Sequence, residues 1–205
     1  MKNILAIGAH PDDIEISCLG YLLKENKDKK TKVSVFILSS GSLNDPTSGL
    51  KRITESKKAL SCIKDLNLYY RSNKGIKVSD LEKISNKIRK LIIELNPNKI
   101  LVHDPNDTHN EHVLAYDIVK TATRRLAIDL IRYRSISSSN TFKANMYIDV
   151  KDYLVLKKKS LKCHKSQQFH NYLSEQYIES FHNNFFAYSR GIKVSEAYFE
   201  EFKFL

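Results

Sequence analysis

Two short stretches of this chain concentrate the side chains that bind metals and move protons. One is His10-Pro11-Asp12-Asp13, and the other runs His103-Asp104-Pro105-Asn106-Asp107-Thr108-His109-Asn110-Glu111-His112. A divalent ion used for hydrolysis, zinc above all, takes three protein ligands from His, Asp and Glu and keeps a fourth position for water. His10 and Asp13 lie three residues apart at a strand-to-helix turn, close enough to share one ion, and His112 can supply the third ligand. Asp12 is then a spare carboxylate beside the water, placed to act as general base. His109 precedes His112 by three residues, so in a helix it faces the same side one turn back and can donate to an oxyanion. Metal, water, base and oxyanion donor together would hydrolyse an amide or ester. Each residue alone has a plainer reading. A single His after a strand is commonly a turn or core residue, Asp12-Asp13 would cap the next helix, and Asp104 to Glu111 would be a hydrophilic loop. Their joint occurrence favours a metal hydrolase.

The two stretches can cooperate only if the fold brings them to one place. Asn3 to Ala9 is an apolar run that reads as a strand, ended by the extended geometry Pro11 imposes on His10. Ile14, Cys18, Leu19, Leu22 and Leu23 recur at helical spacing, predicting a helix from Ile14 to about Glu25. Lys32 to Leu38 is β-branched and aromatic, a second strand, and Ser39 to Gly49 is rich in turn formers. Helical patterning resumes over Ile53 to Ile63, and Leu66 to Tyr70 reads as a short third strand. Val78 to Leu95 is the clearest amphipathic helix, with Ser79 as its N-cap, and Lys99 to Val102 is a fourth strand. Such alternation predicts an α/β fold with a parallel sheet covered on both faces. Ligands of open α/β sheets bind outside the carboxyl ends of the strands, and each reactive stretch directly follows a strand. Further on, His112 to Arg125 reads as a helix, Tyr147 to Val150 as a strand, and Tyr153 to Lys165 as a helix with a basic outer face. Gln167 to Tyr188 is aromatic and without clear period. With no repeat and no linker, residues 1–205 read as one domain.

Composition narrows the class. A chain of 205 residues with 41% hydrophobic and 28% charged residues is globular and long enough to build its own core. No apolar run reaches the ~18 residues of a membrane span, and Met1-Lys2-Asn3 leads straight into Ile4, too short a start for a signal peptide. Cys18, Cys62 and Cys163 form no C-x-x-C pattern, which points to a reducing, cytoplasmic compartment. The 34 Lys and Arg against 23 Asp and Glu give a net charge of +11, which raises a nucleic-acid partner as a rival reading. Lys24 to Lys32 and Lys157 to Lys165 lie on or beside predicted helices with no reading motif, so solvated faces explain them better and no nucleic acid is expected. A dinucleotide binder is disfavoured too, because the first turn is Gly8-Ala9-His10-Pro11-Asp12 rather than G-x-G-x-x-G. Homo-oligomerisation stays open.

Ala9-His10-Pro11-Asp12-Asp13 resembles the A-H-P-D-D signature of the LmbE/PIG-L-like de-N-acetylases, and Asp107 to His112 is similar to that family's D-x-H-x-D-H signature. Arg52 and Glu55 fall where an R-x-x-E pair follows the second strand. His164-Lys165-Ser166-Gln167 resembles an H-[KR]-S-Q element, and Gly191 to Phe199 a closing G-x-x-x-x-E-A-F segment. The matches run in family order over nearly the whole chain. The resemblance implies a Rossmann-like three-layer sandwich with a mostly parallel central sheet. It also implies a mononuclear Zn²⁺ site, with another divalent metal as the alternative, and a small-molecule N-acetylated amino sugar as substrate. Residue by residue it makes His10, Asp13 and His112 the metal ligands and Asp12 the general base. It makes His109 the oxyanion-stabilising or acid histidine and Arg52 a substrate contact or organiser of the loop, with Asp107 and Glu111 in support. Departures stand beside the matches. Ser17 and Leu19 replace common glycines, so Leu19 is expected to crowd the approach of helix to sheet, and Glu111 replaces the usual Asp with its charge kept. The loop Gly41 to Gly49 is expected to carry variable substrate contacts. An amidase acting on another N-acyl group is the rival enzyme.

Overall fold

The computed structural model describes residues 2–27, 30–41, 46–72 and 74–201. Seven strands, β1 (Lys2–Gly8), β2 (Thr31–Ile37), β3 (Asn67–Tyr70), β4 (Lys99–His103), β5 (Asp129–Tyr133), β6 (Met146–Asp149) and β7 (Ser195–Glu201), form one sheet in the order β3-β2-β1-β4-β5-β7-β6. The first five run parallel, and β7 is antiparallel to both β5 and β6. Among the five parallel strands β1 is central, with β2 and β3 to one side and β4 and β5 to the other. The strand order therefore reverses between β1 and β4, which opens a crevice above their carboxyl ends.

Burial explains why the strands read as unbroken apolar runs. Ile4, Leu5, Ala6 and Ile7 of β1 are all buried, Ile4 and Ala6 into one core and Leu5 and Ile7 into the other. A strand covered on both faces has no solvent side on which to place polar residues. The first core packs under α1 (Asp13–Ser17), α2 (Leu19–Asn26) and α3 (Pro46–Leu60), and the second under α4 (Leu81–Leu95) and α5 (Asn110–Ala122). A third cluster joins Ile16 of α1 to Leu161 of α6 (Leu154–Leu161), to Leu173, and to Ile178 and Phe181 of α7 (Glu175–Phe181). The last helix is α8 (Phe185–Tyr188). No helix among the described residues is long and apolar enough to cross a membrane.

Several expectations are corrected. The helix expected over Ile14 to Glu25 breaks at Cys18, whose φ of −127° separates α1 from α2. The first-turn amides of α2 are capped from far along the chain, since Gly20 N–H and Tyr21 N–H donate to the buried Glu196 carboxylate of β7 at 2.9 and 2.8 Å. Leu19 is buried in the first core, and a close approach is found one residue on. A Cβ on Gly20 would stand 2.6 Å from Val150 Cγ1 and 2.9 Å from Glu196 Oε1. Gly20→Ala is therefore expected to cost about 1–3 kcal/mol in urea unfolding, despite the better helix propensity of Ala.

The turn-rich stretch becomes helix from Pro46 onward, and the part of the expected substrate loop at residues 42–45 lies outside the described residues. Ser79 caps nothing, because Val78–Asp80 forms a 3₁₀ turn ahead of α4. The helix expected from Tyr153 to Lys165 is shorter, and Lys157 is buried rather than on an outer basic face. β5 and β7 were not anticipated. β5 carries Asp129 and Arg132 within five residues, and β7 ends in Glu200 and Glu201, so neither shows an unbroken apolar run.

Candidate metal centre

Both reactive stretches rise from the crevice. β1 ends at Gly8 and delivers His10, Asp12 and Asp13, while β4 ends at His103 and leads through Asp107 and His109 into α5. His10, Asp12, Asp13, Arg52, His109 and His112 line one cavity of about 300 Å³. Asp107 and Glu111 stand behind His112 and His10 respectively.

Hydrogen bonds settle which ring nitrogen of each histidine faces Asp13. His10 Nε2 donates to Glu111 Oε2 at 3.0 Å, so His10 Nδ1 keeps its lone pair, 3.7 Å from Asp13 Oδ2. His112 Nδ1 lies 3.1 Å from Asp107 Oδ2, so its Nε2 is the nitrogen facing Asp13 Oδ1, at 3.4 Å. Ligands about 2.0–2.1 Å from a tetrahedral metal stand roughly 3.3–3.4 Å from one another. His10 Nδ1, Asp13 and His112 Nε2 are spaced close to the edges of such a polyhedron, and the donor set suits Zn²⁺ or a related divalent ion. The carboxylates behind the two rings are the partners a metal-binding histidine needs to fix its tautomer.

Charge is arranged to match. Burial alone would raise the pKa of Asp13, but His112 and His103 overcome it and hold the group ionised, well below the usual carboxylate range. Burial disfavours a charged His112, yet Asp13 and Asp107 together push its pKa up to about 10. Only neutral imidazole ligates, so a metal entering here displaces that proton. Asp107 is held ionised against burial by His112, Ser135 and Ser137. The Ser135 hydroxyl donates to it, the Ser137 hydroxyl donates at 2.6 Å, and His109 N–H donates at 2.8 Å.

Asp12 stands apart from this ligand set. Its φ of 101° is left-handed, uncommon for a residue with a side chain and costing about 1–3 kcal/mol. The Tyr172 hydroxyl donates to its Oδ2 at 3.2 Å, and Arg52 Nη2 lies 3.5 Å from the same oxygen. Burial and the neighbouring Asp13 charge raise its pKa to about 6, with Arg52 and His164 opposing. Arg52 also donates to Gly41 O at 2.9 Å and Pro11 O at 3.1 Å, which ties the loops after β1 and β2 together. Gly41 sits at φ +67°, and a Cβ there would fall 2.3 Å from Arg52 Nη1.

His109 is the N-cap of α5. Its Nδ1 accepts from Glu111 N–H at 3.2 Å, which leaves the hydrogen of the neutral ring on Nε2. Burial, with His112 and His10 nearby, lowers its pKa, so the neutral form prevails at pH 7.

Four contributors escaped the sequence reading of the site. His103 is fully buried with Nε2 3.0 Å from Asp13 Oδ2 and stacks on His112. The Ala9 backbone nitrogen lies 3.2 Å from the same ring nitrogen, and burial and His112 keep the ring neutral, its pKa lowered to about 4. Glu15 accepts from His164 Nε2 at 3.0 Å under the turn that holds Asp12. Tyr172 comes from the stretch that showed no periodicity. His164 lies in the His164-Lys165-Ser166-Gln167 element, His103 opens the second reactive stretch, and Glu15 sits just past the first. Tyr172 had no signal of any kind. The R-x-x-E and H-K-S-Q elements prove to be one structure, because Glu55 accepts from Ser166 N–H at 2.9 Å.

The sequence profile of a family described as PIG-L, GlcNAc-PI de-N-acetylase, matches residues 5–123. The chain is 30% identical over 173 residues to the uncharacterised deacetylase YaiS of Escherichia coli (strain K12), covering 80% of this chain and 91% of that protein. Among solved structures, the zinc-inhibited form of teicoplanin deacetylase Orf2 superposes with a TM-score of 0.79 at 14% identity, over 97% of each chain. The N,N'-diacetylchitobiose deacetylase from Pyrococcus horikoshii does so at 0.77 and 18% identity, over 98% of this chain and 84% of that one. GalB, a 4-carboxy-2-hydroxymuconate hydratase from Pseudomonas putida KT2440, gives 0.77 at 14% identity over 100% and 98%. At such identities the structural likenesses establish the fold, and they include a protein that is not a deacetylase.

Proposed function

The chain belongs to the PIG-L family of deacetylases, and from that premise we propose that it is a zinc-dependent N-deacetylase acting on an N-acetylated amino sugar. The observation that carries the reading is the convergence of His10 Nδ1 and His112 Nε2 on Asp13, with the separate carboxylate of Asp12 in the same cavity. His10, Asp13 and His112 would hold the ion. When bound, such an ion polarises the acetamide carbonyl and makes water a stronger acid.

The protein's own groups do the rest. Asp12 accepts the proton of the attacking water as its oxygen bonds to the acetamide carbon. His109 Nε2–H donates to the developing oxyanion. Asp12, now protonated, returns the proton to the leaving nitrogen as the C–N bond breaks, which gives acetate and a free amino sugar. Tyr172 and Arg52 hold the Asp12 carboxylate in the cavity, and the loop bonds of Arg52 favour its organising role over direct substrate contact.

Acetate release from a panel of N-acetylglucosaminides, alongside metal analysis of the purified protein, tests the reading. One equivalent of divalent metal and acetate from at least one saccharide are expected. Water addition to a carbon–carbon double bond with no acetate release would overturn it, and release of a longer acyl group would move it to the rival amidase. His10→Ala is expected to strip the metal. Glu111→Gln, which keeps a weaker acceptor for His10 Nε2, should lower metal affinity by about 10–100-fold.

A further inference from the structure

Beyond the catalytic cavity lies a larger groove with its own chemistry. α4 and α5 cover β1, β2, β4 and β5, but no residue of β6 or β7 joins their core. Tyr147 of β6 pairs in register with Ala197 of β7, and Arg134 N–H donates to Ala197 O, so this strip of sheet forms a floor. The segment around α8 makes the opposite wall. Two adjoining cavities of about 850 and 240 Å³ occupy the groove and share Asn140, Phe142, Ala144 and Tyr147.

Its lining combines the rings of Phe142, Tyr147 and Phe186 with the cations Arg134, Lys143 and Arg190, and no acidic side chain is found there among the described residues. Phe186 is 62% exposed despite its apolar ring. Arg134 donates to Asn184 at 2.9 Å and lies over the Phe181 ring, and Arg190 donates to Phe186 O at 3.3 Å, but neither Lys143 nor Arg190 has a carboxylate partner among the described residues. Cations without carboxylate partners among part-exposed rings and amides suit a ligand with hydroxyls, flat apolar faces and negative charge.

The groove is joined to the catalytic centre by one run of chain. Ile136 and Ser137 line the catalytic cavity, while Ser138, Ser139 and Asn140 line the groove. Two or three residues span at most about 7–11 Å. One acetamido sugar in the 300 Å³ catalytic cavity cannot also fill the groove, but a substrate continuing past that sugar can reach it.

We propose that the groove binds the acidic continuation of an oligosaccharide substrate whose acetamido sugar occupies the catalytic cavity. This rests on the deacetylase reading and names its substrate class: a carboxylate-bearing, N-acetylated oligosaccharide rather than a neutral one. Binding along the groove raises affinity and presents the acetamide to Asp12.

Calorimetric binding to the metal-loaded protein tests this with two probes, a tetrasaccharide alternating N-acetylglucosamine with glucuronic acid and a neutral N-acetylglucosamine tetramer. Wild type should prefer the acidic tetramer. The exposed double variant Lys143→Glu/Arg190→Glu should weaken it by about tenfold or more and change the neutral tetramer less than twofold. Acetate release from an N-acetylglucosamine monosaccharide should be the same in both proteins. Unchanged acidic-tetramer binding in the variant overturns the proposal. So does tighter binding of a single-stranded oligonucleotide than of the acidic tetramer, or a change of oligomeric state in sedimentation with saccharide binding unaffected. Because affinity and acetate release are measured separately, loss of acidic-tetramer affinity in the variant of a protein that releases no acetate would sustain the groove and overturn only the deacetylase reading.

Discussion

Asp12→Asn is expected to cut acetate release by about 10²–10⁴-fold with the metal content unchanged. Asn is the informative replacement, because it tolerates the left-handed backbone that Asp12 adopts at φ 101° and still accepts from Tyr172. What it loses is basicity. Asp12 faces Tyr172 and Arg52, whereas His10 Nδ1 and His112 Nε2 converge on Asp13, so removing the Asp12 charge leaves the ligand set whole. Acetate assays paired with metal analysis separate the two roles. Full activity in the variant would refute the base assignment, and loss of metal would mean that Asp12 is a ligand.

The largest effect on stability should come from a residue remote from the chemistry. Lys157 is wholly buried; its ammonium donates to Glu196, and it lies 2.7 Å from His182 Nε2. Glu196 also accepts from the amides of Gly20 and Tyr21 and from the Tyr198 hydroxyl at 2.7 Å. One carboxylate thus fastens α2, α6 and β7 together. Lys157→Met leaves that charge unpaired and should cost about 3–5 kcal/mol in urea unfolding. Adding Glu196→Gln should return part of the loss, since the buried charge is then gone.

The same cluster gives the fold an acid limit. His182 Nδ1–H donates to Ile178 O and its Nε2 faces the Lys157 ammonium, so burial and Lys157 depress its pKa to about 3. A depressed pKa contributes stability that is present above the unfolded value of about 6.5 and lost as pH falls toward 3. Glu196, depressed by Lys157 and His182 against its burial, acts in the same direction at lower pH. Urea midpoints should therefore decline from pH 7 to pH 4, with His182 contributing of order 3 kcal/mol. His182→Gln should flatten that slope. An unchanged slope would place the acid sensitivity elsewhere.

Local pattern carried much of the architecture. Four parallel strands and the helices between them were readable, because a strand buried on both faces must be apolar throughout and a helix between strands must show one apolar stripe. The reactive groups were readable for another reason. His10, Asp12, Asp13, His109 and His112 sit within a few residues of a strand end, so local spacing already placed them on the edge of the sheet where ligands bind.

What pattern could not supply are relations made by distant parts of the chain. Nothing near Gly20 announces that Glu196 caps its helix, since the two meet only when β7 inserts beside β5. Lys157 looked like part of a solvated basic face because the carboxylate that neutralises it lies 39 residues away. Glu111 found its place across the crevice, on a histidine from the other reactive stretch. Tyr172 reaches Asp12 from a stretch without periodicity. Residue type and local spacing pointed toward a metal hydrolase, because hydrolysis needs particular donors at the end of a strand, and the deacetylase family came from the resemblance of whole motifs. Tautomer, pKa and charge pairing depend on distance through space, and only the folded crevice between β1 and β4 sets those distances.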